Sequence, residues 1–114
     1  MSGFPKAVLK IEFSAGHRLG PGKVRLLDCI FETGSISAAA RKMDMSYRRA
    51  WLLIEELNAM FGTPVVETSA GGSGGGGAKV TDFGKEVVDM FRHMERDTGA
   101  MVMARLAQLE RRDP

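Results

Sequence analysis

The sequence has little of what catalysis, disulfide formation or membrane insertion requires. Its single cysteine, Cys29, excludes an internal disulfide and fits a reducing compartment. The two histidines, His17 and His93, are far apart, and the sequence contains no nucleophile-base or metal-ligand spacing. No apolar run approaches the roughly 20 residues of a membrane-spanning helix, and no signal-peptide pattern begins the chain. We therefore expect a cytoplasmic protein with no membrane, metal or cofactor site.

Charge is also modest, because 16 Lys and Arg against 14 Asp and Glu leave a net charge of +2. Such a small excess does not by itself indicate a nucleic-acid partner. Its distribution is more informative, since residues 41–49 contain four basic side chains and one acidic side chain. The 114 residues, of which 44% are hydrophobic, are enough for one ordinary globular domain. Any contact with a polyanion should therefore involve the segment around residues 41–49.

Residues 34–61 have the pattern of two helices joined by a short polar turn. Ser35 is placed to cap the first, Ala-rich helix, and Ser46 is placed to cap the second. At about 100° per residue, the second helix has a predicted buried stripe of Tyr47, Ala50, Ile54, Leu57 and Phe61. Arg48 points to the opposite side, with Arg49 beside it. The pattern predicts a helix-turn-helix, in which the start of the second helix enters the DNA major groove.

The polar side chains of this segment are the candidates for contact with DNA. Arg48 and Arg49 are predicted to contact bases or phosphates, because a guanidinium can pair with guanine O6 and N7. The other candidates in the two helices are Ser35, Ser37, Arg41, Lys42, Ser46 and Tyr47. Trp51 lies at the margin of the stripe and is expected to be structural. The alternative is that a small helical core also produces such a pair of helices, because the spacing rule is permissive.

The segment before residue 34 predicts a strand, a break and one further helix. Residues 7–13 alternate in polarity as a short strand does, and residues 16–22 form a turn-rich break in which Pro21 suits the first turn of a helix. Residues 23–33 have helical spacing, with predicted core positions at Val24, Leu27, Ile30 and Phe31. Gly34 can end this helix in a left-handed conformation. Together the three helices would form a minimal helix-turn-helix core.

A glycine-rich stretch, residues 70–78, separates two strand-like segments at residues 65–68 and 79–81. A strand, a glycine loop and a returning strand predict a β-hairpin, the wing of a winged helix. Its candidates for contact with the DNA backbone are Gly72, Ser73, Gly74, Gly75 and Lys79. A phosphate-binding nucleotide loop would require Gly-Lys-Ser or Gly-Lys-Thr at its end, which is absent. A flexible linker is the other alternative, although too little chain follows for a second folded unit.

Residues 82–113 have the pattern of one long helix, interrupted by Asp97, Thr98 and Gly99. So long a helix cannot bury all its apolar positions against so small a domain. We therefore predict a homodimer interface formed by Val87, Phe91, Met94, Met101, Val102, Leu106 and Leu109. The alternative is a helix that breaks at Gly99 and folds back onto its own domain.

In combination, these segments resemble the N-terminal winged helix-turn-helix domain of the ModE (molybdate-responsive) regulators, which is related to that of LysR-type regulators. The matching residues, spread over roughly residues 7–92, are Gly34-Ser-Ile-Ser, Ala39 or Ala40, Ser46-Tyr47, Ala50-Trp51, Ile54-Glu-Glu-Leu-Asn58, Val66-Glu67, the glycine loop to Ala78, Thr81 and Gly84. The resemblance implies a dimer on a near-palindromic operator. It also implies that the helix from Asp82 provides part of the dimer contact.

Two departures from the family pattern matter. Thr68 and Ser73 stand where the family has Arg and Lys, so DNA binding should be weaker, with a salt slope smaller by about 0.9 per lost contact. Members that sense molybdate use a separate C-terminal domain, which this sequence is too short to contain. We therefore expect no such effector domain in this chain, and the resemblance does not extend molybdate control to it.

The sequence thus predicts a mainly α fold with a small β-hairpin wing and a long C-terminal dimerisation helix. Residues 1–81 would form the winged helix-turn-helix domain, and residues 82–114 the dimerisation helix of the same structural unit. The predicted function is a transcriptional regulator that binds double-stranded DNA as a homodimer, with a separate effector protein left open as a partner. The alternative is a winged-helix protein-interaction adaptor with little affinity for DNA.

Overall fold

The structure, a computed structural model, describes residue 3 and residues 5–69 and 77–110. Its elements are, in chain order, β1 (Ile11–Ser14), β2 (His17–Leu19), α1 (Pro21–Thr33), α2 (Ile36–Lys42), α3 (Tyr47–Phe61), β3 (Val66–Thr68), β4 (Ala78–Val80) and α4 (Asp82–Glu110). Strands β1 and β2 form one antiparallel hairpin, and β3 and β4 form another. The predicted mainly α fold with a hairpin wing is therefore confirmed.

The core lies where α1 and α3 meet the wing strands and the first half of α4. Its side chains with no exposed surface are Val24, Leu26, Leu27, Ile30, Ala39, Ala50, Leu57, Val65 and Phe91. Helix α2 is buried through alanines, which allow it to cross closely over its neighbours. Cys29 is buried as a small core residue. Over the part of the chain that the structure describes, no helix is both long and apolar enough to cross a membrane.

Serine caps start both helices of the helix-turn-helix, as the sequence predicts. Ser35 Oγ accepts a hydrogen bond from the Ala38 amide at 3.1 Å, and Ser46 Oγ accepts one from the Arg49 amide at 3.0 Å. Gly34 ends α1 with a φ of 67°, a left-handed conformation that side chains disfavour. These local bonds fix the turn between α1 and α2 and the start of α3.

Asn58 attaches the first wing strand to α3. Its Oδ1 accepts hydrogen bonds from the amides of Val65 and Val66 at 2.8 and 3.2 Å, and its Nδ2 donates to the Val66 carbonyl at 3.2 Å. Both valines are buried, so water cannot easily satisfy these backbone groups. One amide side chain therefore holds the wing at the C-terminal half of α3.

Thr81 and Gly84 place the start of α4 against the wing. Thr81 Oγ1 accepts from the Gly84 amide at 2.9 Å and donates to the Pro64 carbonyl at 2.7 Å. A Cβ atom added to Gly84 would lie 2.3 Å from the Val65 carbonyl oxygen. Only glycine therefore allows α4 to approach the wing this closely.

Helix α4 is continuous, so the alternative of a break at Gly99 is wrong. The chain measures 68 × 31 × 24 Å and has a radius of gyration of 17.3 Å, against about 13 Å for a compact domain of this length. Among the described residues of α4, none beyond Phe91 is buried. The second half of the helix therefore extends away from the body, although residues 111–113 of its predicted span lie outside the described residues.

Two predicted core residues are exposed instead. Phe31 is 63% exposed, because Leu26 and Cys29 share the buried face of α1 with the predicted positions and Phe31 falls on the other side. The ammonium group of Lys85 lies 5.4 Å from its ring centroid. Tyr47 is 55% exposed, because it opens α3, and the buried positions of this helix begin only at Ala50.

The N-terminal segment also differs from its prediction. The strand predicted at residues 7–13 starts at Ile11, and the predicted break contains β2, so the segment is a hairpin. Gly16, with a φ of 80°, allows the chain to reverse. Phe13 packs edge-on against Phe61 of α3, with ring centroids 5.1 Å apart. Helix α1 begins at Pro21, as that residue suggested, rather than at the predicted residue 23.

We predict that Asn58→Leu lowers the free energy of unfolding by about 1–3 kcal/mol, because buried backbone groups of the wing lose their partners. Urea unfolding followed by circular dichroism measures this change. The matched variant Asn58→Asp keeps both acceptor bonds but sets a carboxylate oxygen against the Val66 carbonyl, so its loss should be the smaller one at a pH low enough to protonate the carboxyl group, which can then donate to that carbonyl. An unchanged midpoint for Asn58→Leu would show that this side chain does not hold the wing.

We predict opposite effects for alanine at two glycines of α4. Gly84→Ala should destabilise by about 1–3 kcal/mol, because the new methyl group meets backbone that cannot move easily. Gly99→Ala, where a Cβ meets nothing within 4 Å, should stabilise by about 0.5–1 kcal/mol through helix propensity. Thermal unfolding compares the two variants. Shifts of the same sign and size would contradict the close approach at Gly84.

Candidate nucleic-acid interface

The first turn of α3 presents exposed polar and basic groups. Ser46, Tyr47, Arg48 and Arg49 are all exposed. Neither guanidinium forms an ion pair or a side-chain hydrogen bond within the described part of the chain. Both remain available as donors to a base edge or a phosphate. The hydroxyl of Ser46 is already used to cap the helix.

Helix α3 has three flanks that differ in chemistry. Asn58, which binds the wing, and Arg49 are nine residues apart, which places them about 180° apart around the helix. The wing flank carries Tyr47 and Trp51, because at about 100° per residue these two positions lie within about 40° of Asn58. The outward flank carries Arg48 and the exposed Leu52. The structure thus separates Arg48 and Arg49, which adjoin in sequence, onto different flanks.

Trp51 is a candidate that the sequence interpretation missed. We expected a structural role for it, but its side chain is 36% exposed and follows Tyr47 by one helical turn. The signal that could have identified it is this spacing of four residues, which aligns two side chains on a helix surface. The two aromatic residues form an exposed pair on the wing flank of α3.

The end of α2 contributes one free and one paired cation. Arg41 is exposed and has no ion pair among the described residues. Lys42 Nζ lies 2.9 Å from a carboxylate oxygen of Glu32 in α1. The hydrogen bond to Glu32 and the charge of that carboxylate raise the pKa of Lys42. Because both partners are half exposed, a phosphate can compete with Glu32 for Lys42.

The remaining predicted contacts are divided between α2 and the wing. Ser37 is exposed on α2, whereas the Ser35 hydroxyl is half-buried and engaged as a cap. Lys79 is exposed on β4, opposite Glu67 of β3. The Ala78 amide donates to the Gly34 carbonyl at 3.0 Å, which brings the wing to the corner between α1 and α2. The predicted contacts Gly72, Ser73, Gly74 and Gly75 lie outside the described residues.

The predicted dimer residues fall into two groups. Val87 and Phe91 lie in the core of their own chain, at 8% and 0% exposure, so neither is available to a partner and both predictions need correction. The apolar pattern marks these positions but does not show what covers them. In the structure the first half of α4 packs on α1 of the same chain. The others, which are exposed or partly exposed on the described part of α4, are Met94, Met101, Val102, Leu106 and Leu109.

A basic groove adjoins the third flank of α3. Arg49 lines it together with Lys10, Arg18 and Lys23, which belong to the N-terminal hairpin segment and α1. The sequence interpretation did not consider these residues, because it placed the region around Arg18 in a break. The hairpin segment brings Lys10 and Arg18 next to α3, where Lys23 of α1 already lies.

Comparison with known sequences identifies a family. Residues 22–85 match the family described as bacterial regulatory helix-turn-helix protein, lysR family. The chain is 37% identical over 89 residues to the molybdenum transport protein ModE of Azotobacter vinelandii, which is 78% of this chain and 33% of that protein. It is 38% identical over 71 residues to the DNA-binding transcriptional dual regulator ModE of Escherichia coli strain K12, which is 62% of this chain and 27% of that protein.

Another relative agrees with this match, and two solved structures share the fold. The molybdenum-pterin-binding protein MopA of Rhodobacter capsulatus is 37% identical over 98 residues, covering 86% of this chain and 36% of that protein. The LysR family transcriptional regulator VV2_1132 superposes with a TM-score of 0.55 at 16% identity, over 90% of this chain and 31% of that one. ArgP from Mycobacterium tuberculosis superposes with a TM-score of 0.50 at 19% identity, over 79% of this chain and 30% of that one. The chain spans about a third of the length of the curated relatives it matches.

Proposed function

The chain belongs to the lysR family of bacterial regulatory helix-turn-helix proteins, and we propose that it is a DNA-binding transcriptional regulator that binds a near-palindromic operator as a homodimer. The observation that carries the proposal is that Arg48 and Arg49, on the exposed first turn of α3, have no ion-pair partner among the described residues. Names of two relatives refer to molybdenum, but only the DNA-binding role of the matched region is extended to this chain.

In the proposed complex the start of α3 enters the major groove. Arg48, on the outward flank, reads a base edge, and the exposed Leu52 beside it offers an apolar contact to a thymine methyl group. Arg41, exposed in the last turn of α2, and Arg49, on another flank of α3, contact phosphates, which position the protein without reading sequence. Lys42 joins them by exchanging Glu32 for a phosphate.

The second half of α4 provides the surface for the partner subunit. Met90, Met94 and Met101 are exposed and lie within about 40° of one another around the helix. Val102, Leu106 and Leu109 widen this surface. A row of apolar side chains on a helix that leaves the body indicates association, and methionine adapts well to such seams. A two-fold dimer then presents two α3 helices to two symmetric half-sites.

Arg48 and Arg49 are expected to differ in their effect on DNA binding. With a duplex selected from a random DNA pool, Arg48→Ala should lose about 1–3 kcal/mol of binding and relax specificity at one base position. Arg49→Ala should weaken binding to all DNA sequences alike. It should also reduce the slope of log affinity against log salt concentration by about 0.9 per phosphate contact. Fluorescence anisotropy over a salt series measures both effects.

The control for these variants is Arg96→Ala, which removes the same charge from an exposed position of α4 about 140° around the helix from Met101. It should leave both the affinity and the slope near those of the wild type. Unchanged operator affinity in Arg48→Ala would remove that residue from the recognition surface. A wild-type protein that shifts no DNA at low salt would favour the adaptor alternative.

The dimer surface is tested by placing a charge within it. Met101→Glu should convert the dimer to a monomer and weaken operator binding, because a carboxylate in an apolar seam loses its hydration. Ala100→Glu introduces the same charge about 100° around α4 from Met101, on the side away from Val102, Leu106 and Leu109, and should leave the dimer intact. Sedimentation equilibrium measures the oligomeric state of each variant. Dissociation by both variants, or by neither, would contradict the proposed surface.

A further inference from the structure

The hairpin β1–β2 and the start of α1 enclose an open groove beside α3. The groove has a volume of about 390 Å³, and its charged lining consists of Lys10, Arg18, Lys23 and Arg49, with no acidic residue. Four basic side chains therefore line a surface next to the first turn of α3, which we assign to DNA contact.

Lys23 is a structural member of this group. Its ammonium group donates to the Arg18 carbonyl at 2.6 Å and lies 3.2 Å from a carboxylate oxygen of Glu56. These contacts tie the hairpin to α1 and α3, and Glu56 neutralises the charge of Lys23. Lys23 thus positions the hairpin and is not free for a ligand.

The other three basic side chains are available to a ligand. Lys10, Arg18 and Arg49 form no ion pair within the residues that the structure describes. A Cβ added to Gly20 would lie 3.2 Å from Lys10 Cγ, so the stem of Lys10 packs closely against Gly20. Glu12 pairs with Arg18 in the strand register but makes no ion pair with it. The groove therefore offers three positive charges to an anion.

The groove and the wing lie on opposite sides of α3. The wing binds Asn58 and approaches the C-terminal end of α1 at Gly34, whereas the groove lies at the N-terminal end of α1. Helix α1 has 13 residues, which gives a length of about 20 Å. The described wing strands carry one lysine and one glutamate, so the positive charge is concentrated on the groove side.

We propose that the β1–β2 hairpin acts as a second, basic wing, in which Lys10 and Arg18, together with Arg49, hold phosphates of the operator backbone. This inference rests on the proposed function, because the groove adjoins the flank of α3 that carries Arg49. The ligand is a duplex backbone, since the open groove continues onto a helix that enters the major groove. The protein thereby grips the backbone on both sides of α3.

The test compares the double variant Lys10→Ala/Arg18→Ala with the charge-matched Lys85→Ala/Arg96→Ala, whose residues are exposed on α4 and point away from the proposed dimer surface. On the selected operator, the hairpin variant should bind at least about tenfold more weakly at physiological salt and lose about 0.9 of salt slope per phosphate contact. The control should stay near the wild type. Arg18→Lys keeps the charge and should retain most of the affinity, and equal thermal midpoints will show that all variants fold.

Phosphate ethylation interference locates the contact. Wild-type protein should show two groups of sensitive phosphates in each half-site. On one side only, the hairpin variant should lose the sensitivity of the phosphates held by Lys10 and Arg18 and keep that of the phosphate held by Arg49. Arg48→Ala should leave both groups in place. If the wild type binds and the hairpin variant matches its control, the second wing is wrong and the proposed function stands. If the wild type binds no DNA, the proposed function fails as well.

A free phosphate ion could bind the same three basic side chains in place of a phosphate of the DNA backbone. Titration of the protein with inorganic phosphate, followed by NMR, tests whether the groove is a small-anion site. Saturation of the amide signals around Arg18 at low phosphate concentration, with unchanged operator binding in the hairpin variant, would overturn the proposal. Weak, unsaturated shifts together with the loss of operator affinity would support it.

Discussion

The backbone of Val65 is the point on which the relative positions of the recognition helix, the wing and α4 depend. Its amide donates to Asn58 of α3 at 2.8 Å, and its carbonyl accepts from the Thr81 amide at 3.0 Å. The same carbonyl faces Gly84, where a Cβ would lie 2.3 Å away. One buried residue therefore connects three elements by short contacts. A displacement of α4 must move Val65, and a displacement of Val65 must move the hydrogen-bonded Asn58.

This coupling gives the proposed dimer its geometry. A continuous helix from Asp82 to Glu110 transmits its direction along its length, because no break in it absorbs a change of angle. In the proposed complex, the pairing of two such helices sets the distance between two α3 tips, which should match a half-site spacing of about 34 Å. The stiffness of α4 and the junction at Val65 would then set the spacing that the regulator accepts. Neither feature touches DNA.

Helix caps and helix ends were predictable from the sequence, whereas the packing between distant elements was not. The serine caps and the left-handed Gly34 act within a few residues, so their sequence signals were sufficient. The apolar positions of α4 include both Phe91 and Met101, although the first packs in the core and the second is exposed. Periodicity indicates which face is apolar and not what covers it. The hairpin β1–β2 was missed because its strands are only four and three residues long.

The separation of Arg48 from Arg49 explains how one helix tip can serve two purposes. A base-reading side chain must point along the axis of insertion, and a phosphate-binding one must point to the side where the backbone passes. Adjacent positions on a helix differ by about 100°, so two consecutive arginines satisfy both requirements. The proposed hairpin contact extends the lateral role, because it adds cations on the side to which Arg49 points. The wing flank carries aromatic rings instead, and in the proposed complex their contribution would depend less on salt than that of the basic side.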